Sequence, residues 1–489
     1  MENAGGPVLP VDAASPAMPI ELPSYAGQLR YLAMALVLVA AAVLSPLLAL
    51  GAGVVTLFWL AAADPAGGAM RRFLVLSLGF PIYIAAGGRD LATVSSALIL
   101  AAVAVLAIRT SPHERSVPAG LLFLAAASLV PFLLPLFSLP QEALGPSIRR
   151  LVAMLVNIAA FWFVLASVRS RADLIDTAQS FHLMIVVTAL VMIVTATVPG
   201  TGMMLRVFAH RGSDEAAVAV QDDIVRAMGT LGDYELAAEL MALGMLLSIG
   251  LGVTYRSGGA WRGYAGTFVL MVVALGSTAT RGALLAFGAG LLLLMVAGLR
   301  LRLVQMHRLV LPLAFTGILL LLFVAALGAE GLLAGLGRRL ARTEFEGLVP
   351  DTRLYVWGFY LPRILESPWI GSGLALHSFE DVPYDPHSLW IHLLLAGGIP
   401  AVVTFLILAG VLIVSPLRAL LRATTVFRSD AVLLAITAAA AAFVVDQWKI
   451  TYLRLENYQH MVWVLLGLCG AAARLREEES GTREETGRA

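Results

Sequence analysis

Apolar runs follow one another along almost the whole chain, each close to the roughly 20 residues a helix needs to cross a hydrocarbon core. Residues 118–137 and 282–299 contain no charged side chain at all. Because the runs are continuous, they read as helices and not as barrel strands, which alternate in and out over about ten residues. Of 489 residues, 59% are hydrophobic and 13% charged, whereas soluble domains have about half and a quarter. That apolar content has room for roughly fourteen spans. The expected fold is all-α: a polytopic membrane protein with about 12–14 transmembrane helices and a helical loop segment on the outer side.

Spans are expected over about 31–46, 47–63, 72–87, 91–108, 118–137, 150–168, 182–198, 234–255, 263–279, 282–299, 309–328, 387–416, 430–448 and 459–473. The first two are short, either one bent helix or a hairpin turning near Ser45 and Pro46. Basic residues of short loops stay on the cytoplasmic side. Alternate loops are basic in register: Arg71 and Arg72; Arg109 and Arg115; Arg169 and Arg171; Arg256 and Arg262; Arg300, Arg302 and Arg308; Arg418, Arg422 and Arg428.

This register puts both termini in the cytoplasm. Residues 1–30 are then a disordered cytoplasmic tail without the pattern of a secretory signal. A transmembrane bundle follows over 31–328, with an outer loop at about 199–233. An outer loop segment with interfacial helices, periplasmic if the chain is a bacterial inner-membrane protein, occupies 329–386, C-terminal transmembrane helices 387–473, and a cytoplasmic tail 474–489. Long outer segments of this kind are uncommon unless they carry function. In the second, Leu332, Leu333, Leu336 and Leu340 recur at helical spacing opposite Arg338, Arg339 and Arg342, which suits a helix lying on a membrane surface. Asp351 or Thr352 can cap a following aromatic helix that Pro362 should bend or end, and Gly371 and Gly373 mark a turn.

Charge and motif content exclude several classes. The balance of 33 basic against 32 acidic residues makes no basic face for a nucleic acid. A single cysteine, Cys469, rules out an intramolecular disulfide and a cysteine metal cluster. No HExxH and no carboxylate cluster points to a metal, and no Asp-x-Asp or glycine-rich cradle points to a nucleotide. The expected chemistry uses neither metal nor cofactor. The basic residues are 32 Arg and one Lys, Lys449, so most cationic positions hold a planar fork suited to phosphate or carboxylate.

Arg281 stands in ALGSTATRGALLAFGAG, between two apolar runs, on the side where the charge register disfavours a basic residue. An Arg at a helix centre costs about 2.5–3.5 kcal/mol on insertion scales, and less near an interface where it snorkels. It reads either as the marker of a helix end or as the ligand of a phosphate that would compensate those costs. Arg226, just before a span, and Arg353, opening the aromatic helix, could converge with it on a diphosphate. Each reads equally as a surface ion pair with Asp222, Asp223, Asp351 or Glu346.

His387, in YDPHSLWIHLLLAGGIPA, stands where the second outer segment meets a span. An imidazole there can take a proton from an attacking sugar hydroxyl, with Asp385 orienting the ring. A cap or interfacial histidine is the plainer reading, and His377 competes for the role. His392 lies about 140° round a helix from His387, so the two form no metal face. Asp233 and Glu235, with Tyr234 and Glu239, can bind sugar or act as acids, or simply satisfy the start of a helix.

Four stretches, RAMGTLGDYELAAEL (226–240), STATRGALL (277–285), TRLYVWGFYLPRILESPWIGSG (352–373) and PHSLWIHLLLAGGIPA (386–401), together resemble the O-antigen ligase and polymerase superfamily of bacterial inner-membrane glycosyltransferases. The last is similar to the family's Pro-His-Asn/Ser block followed by a Gly-x-x-Gly turn, with Ala401 in place of the second glycine. The resemblance implies a glycan donor carried on undecaprenyl diphosphate at the periplasmic face of the inner membrane, among membrane lipids. It implies Arg281 and Arg226 as diphosphate ligands, Arg353 as a further contact, and His387 as the base for a glycan or lipid A core hydroxyl. Transfer would be metal-independent and inverting. A polysaccharide polymerase using the same donor is the nearest alternative. A flippase for that donor is an alternative of another class, and would need polar groups spread through the bilayer depth; Asn157, Asp446 and Gln447 are the main ones in the spans.

Overall fold

The computed structural model describes residues 25–86, 89–110, 117–198, 218–221, 224–255, 260–303, 351–375, 386–423 and 425–486. The expected span at 309–328, the surface helix at 330–342, His377 and Asp385 lie outside them. Helices α1 (Tyr25–Leu44), α2 (Pro46–Ala63) and α3 (Gly68–Ser77) are followed by a hairpin of β1 (Tyr83–Ala86) and β2 (Arg89–Thr93). Then come α4 (Val94–Arg109), α5 (Ala119–Ala127), α6 (Val130–Leu133), α7 (Gln141–Ser167) and α8 (Arg171–Thr197). A second hairpin, β3 (Val218–Gln221) and β4 (Ile224–Ala227), leads into α9 (Tyr234–Thr254), α10 (Ala260–Ser277) and α11 (Gly282–Arg300). The chain closes with α12 (Asp351–Glu366), α13 (Leu389–Arg422), α14 (Asp430–Asp446) and α15 (Glu456–Thr486). Among the described residues, eight helical stretches are long and apolar enough to cross a membrane. The chain is an all-α polytopic membrane protein.

Local sequence explains the breaks. Ser45 is extended (φ −164°) and its hydroxyl accepts from the Leu47 amide, while Pro46 opens α2. The two helices pack on each other, so the first apolar pair is a hairpin. The run at 72–87, expected as a span, is instead the ten-residue α3 followed by β1. Its apolar content misleads because Pro81 offers no amide to a continuing helix, and the next residues pair with Arg89–Thr93. Pro362, by contrast, does not end α12, which runs on to Glu366.

The core is built on α9, which packs against α8, α10, α11 and α14. In a bilayer, helix association rests on close packing of small residues and not on transfer from water. A Cβ on Gly250 would lie 2.3 Å from that of Ala435 and 2.7 Å from the Ala431 carbonyl oxygen. The bare glycine and the alanine-rich stretch of α14 therefore set the close approach of these two helices.

Several of the Arg-rich loops meet as ion pairs at one end of the bundle. Arg71, 1% exposed, donates to Asp173 Oδ1 at 2.7 Å, joining α3 to α8. Arg171 donates to Asp430 Oδ1 at 2.7 Å and to Glu479 Oε2 at 2.6 Å, joining α8 to α14 and α15. Since α14 runs from Asp430 to Asp446, the residues after Asp446 lie at the opposite end.

At that opposite end α13 breaks at Gly397 and Gly398 (φ +68°). A Cβ on Gly398 would lie 2.6 Å from the Pro368 carbonyl oxygen, so left-handed backbone and close approach both demand glycine. The turn through Gly371 and Gly373 fills the break: Ser372 N donates to Leu395 O, Gly373 N to Ala396 O, and Ile399 N to Pro368 O. Ala401 lies beyond the break, buried in the lower part of α13, so the missing second glycine leaves the turn intact.

Candidate active site

Asp233 caps α9, its Oδ1 accepting from the amides of Glu235 (2.8 Å) and Leu236 (3.0 Å). This fixes Glu235 in the first helical turn, with its carboxylate beside the start of α13. His387 Nδ1 lies 3.3 Å from Glu235 Oε2. A carboxylate only accepts, so the bond puts the proton on Nδ1 and leaves Nε2 as the basic lone pair. Glu235 faces the ring nitrogen in the orienting role that sequence reasoning gave to Asp385, which lies outside the described residues. The imidazole is 30% exposed, open to a substrate. His387 has φ +46°, a left-handed conformation rare outside glycine. Such conformations cost on the order of 1–3 kcal/mol and concentrate at functional sites.

Its surroundings hold that conformation. The Leu389 amide donates to the carbonyls of Gln447 (2.9 Å) and Ile450 (3.1 Å), tying the first turn of α13 to the segment after α14. Trp357 of α12 donates from Nε1 to the Pro386 carbonyl at 3.0 Å, and its ring meets Trp448 edge-on at 5.9 Å.

Arg226 projects from β4 and is 2% exposed. Its Nε donates to the Thr278 carbonyl at 3.0 Å and Nη2 to Thr280 Oγ1 at 3.4 Å. Its guanidinium carbon sits 3.4 Å from the centroid of the Tyr234 ring. Thr278 and Thr280 belong to the sharp turn between α10 and α11, where Ala279 has φ +51°. That turn ends on Arg281, which is partly exposed just before α11. Arg281, Arg226, Tyr234, Glu235 and His387 therefore belong to one continuous arrangement at one end of the bundle. Arg353 lies in the first turn of α12.

Two participants had not been singled out from sequence as site residues. Arg454, between α14 and α15, donates from Nη1 to Glu235 Oε2 (2.9 Å) and pairs with Asp233 Oδ2 (3.1 Å). Lys449 pairs with Asp446 at 2.7 Å. Between Ser429 and Arg474 these are the two Lys or Arg residues, and both break the basic-loop register as Arg281 does. One turn further along α9, buried Glu239 accepts from Gln447 Nε2 and Tyr458 Oη, both at 2.8 Å. No group of three His, Cys, Asp or Glu among the described residues suits a metal.

Residues 266–406 match a family model described as O-antigen ligase. Over that stretch the chain is similar to the O-antigen ligase family. The matched stretch runs from α10 into α13 and contains Arg281, Arg353 and His387. Arg226, Asp233, Glu235 and Arg454 lie outside it, and the fold brings them to its edge. A search of curated proteins finds no match. That likeness supports a membrane glycosyltransferase of ligase or polymerase type.

Proposed function

We propose that the protein transfers an oligo- or polysaccharide from undecaprenyl diphosphate to a hydroxyl acceptor at the periplasmic face of a bacterial inner membrane. The observation that carries this reading is the pairing of His387 with Glu235 beside the arginine-bearing turn. Orientation is argued from charge, since the site lies at the end away from the Arg-rich loops.

In this mechanism His387 Nε2 accepts the proton of the acceptor hydroxyl while Glu235 holds the ring through Nδ1. The acceptor oxygen attacks the anomeric carbon from the side opposite the carrier. The bond between that carbon and the phosphate oxygen breaks, undecaprenyl diphosphate departs with the electron pair, and the configuration inverts. Arg281 meets the developing negative charge. Arg226 fixes the turn that carries Arg281 and adds its own charge from behind, and Arg353 is a further contact. Guanidinium groups in a water-poor site can stabilise the leaving group without a metal.

The test supplies purified protein with a defined undecaprenyl-diphosphate glycan and candidate acceptors, in the presence of a chelator. Transfer by the wild type, lost in His387→Ala and Arg281→Ala, is expected. Product formed by both variants at the wild-type rate would remove the proposed site. A product on a second lipid-linked glycan identifies a polymerase, and one on lipid A core a ligase.

A further inference from the structure

Resting on that reading, we propose that Lys449 is a donor-binding residue, an ammonium that meets the carrier diphosphate beside Arg281. In a chain with 32 Arg, this is the sole Lys. Its side chain runs against the first residue of α11, where a Cβ built on Gly282 would overlap the end of the lysine stem. The ammonium therefore occupies the space that any side chain at position 282 would take, next to the residue that follows Arg281. Asp446, 2% exposed, holds it there at 2.7 Å.

Asp446 offsets the ammonium before the donor arrives, and a diphosphate held by Arg281 adds a second anion within the reach of the flexible lysine stem. The residue type fits the space. Lysine is a compact point charge on a flexible stem, able to pass over a bare glycine and swing from a carboxylate to a phosphate, whereas the guanidinium fork is wide and planar. The segment that delivers it is fixed, with Gln447 bound to Glu239 and the carbonyls of Gln447 and Ile450 bound to Leu389. The same segment thus sets the start of α13 behind His387 and the cation at the start of α11.

Gly282→Ala offers a test that changes no charge. Alanine suits the first turn of a helix, and its methyl would displace the flexible end of Lys449. Lys449→Met is made together with Asp446→Asn, so that no buried carboxylate is left uncompensated. Binding of undecaprenyl diphosphate to protein in nanodiscs is measured beside transfer kinetics. Both changes should weaken binding and raise the donor KM roughly tenfold, the effect of one lost charge-assisted hydrogen bond, with a smaller change in kcat. Combined, they should do little more than either alone, because each removes the same contact. Unchanged binding and KM in both, with Arg281→Ala impaired, would overturn the role of Lys449 and leave the proposed function standing. A wild type that neither binds the carrier nor transfers glycan would overturn both.

Discussion

The guanidinium of Arg454 lies 2.9 Å from Glu235 Oε2, bridging 219 positions of sequence. That oxygen is also the one that faces His387 Nδ1, at 3.3 Å. Arg454 thus offsets the charge of the Glu235 and Asp233 carboxylates packed against the start of α9. Arg454→Leu should lower kcat at least tenfold in the wild-type background, and by less in a Glu235→Gln background, where one of the charges it offsets is already gone. Steady-state transfer kinetics on the wild type, the two single variants and the double variant check this; an equal loss from Arg454→Leu in both backgrounds would refute it.

In the proposed mechanism Glu235 acts on the acceptor only through His387. Glu235→Gln keeps the volume but lets an amide NH2 face Nδ1, favouring the wrong tautomer. The expected result is a fall in kcat on the order of a hundredfold or more, with the donor KM nearly unchanged. A change confined to KM would instead assign Glu235 to donor binding.

Tyr234 presents its ring face to Arg226 at 3.4 Å. Tyr234→Phe keeps that face, so stability and transfer should stay near wild type. Tyr234→Leu removes it and should cost about 1–2 kcal/mol of stability, read as a lower Tm in detergent. Equal behaviour of the two variants would show that the ring face contributes nothing.

Asp430 is fully buried and receives Arg171. Asp430→Ala leaves a buried cation without this partner, at an expected cost of about 3–5 kcal/mol. Thermal unfolding should register the loss, while the KM values of the folded fraction stay the same, because Asp430 is at the end away from His387.

Gly398→Ala should impair transfer more than it lowers Tm. A methyl there meets the Pro368 carbonyl in a left-handed backbone, so the turn through Gly371 must shift and carry the start of α13 with it. A variant with wild-type kcat would show that the break is not coupled to His387.

Much of the helical plan was legible because membrane spans announce themselves by continuous apolarity, as in α7, α9 and α11. The run at 72–87 misled because hydropathy does not register that Pro81 cannot extend a helix and that Tyr83–Ala86 finds a strand partner. At the site, Arg226, Arg281, Asp233, Glu235 and His387 stood out as charged or titratable groups at span ends. What sequence spacing could not supply was the pairing, since Glu235 reaches His387 across 152 positions. Capping and pairing also proved compatible: Asp233 caps α9 with one carboxylate oxygen and binds Arg454 with the other.

The break in α13 leaves 24 residues below it, from 399 to 422, about 36 Å of helix at 1.5 Å per residue. That alone exceeds the roughly 30 Å of a hydrocarbon core. The eight residues from Leu389 to Ala396 are therefore surplus to the crossing, a short pedestal whose tilt follows the α12 turn. A thicker or thinner bilayer would be absorbed by the lower rod, and the imidazole would keep its height above Gly398.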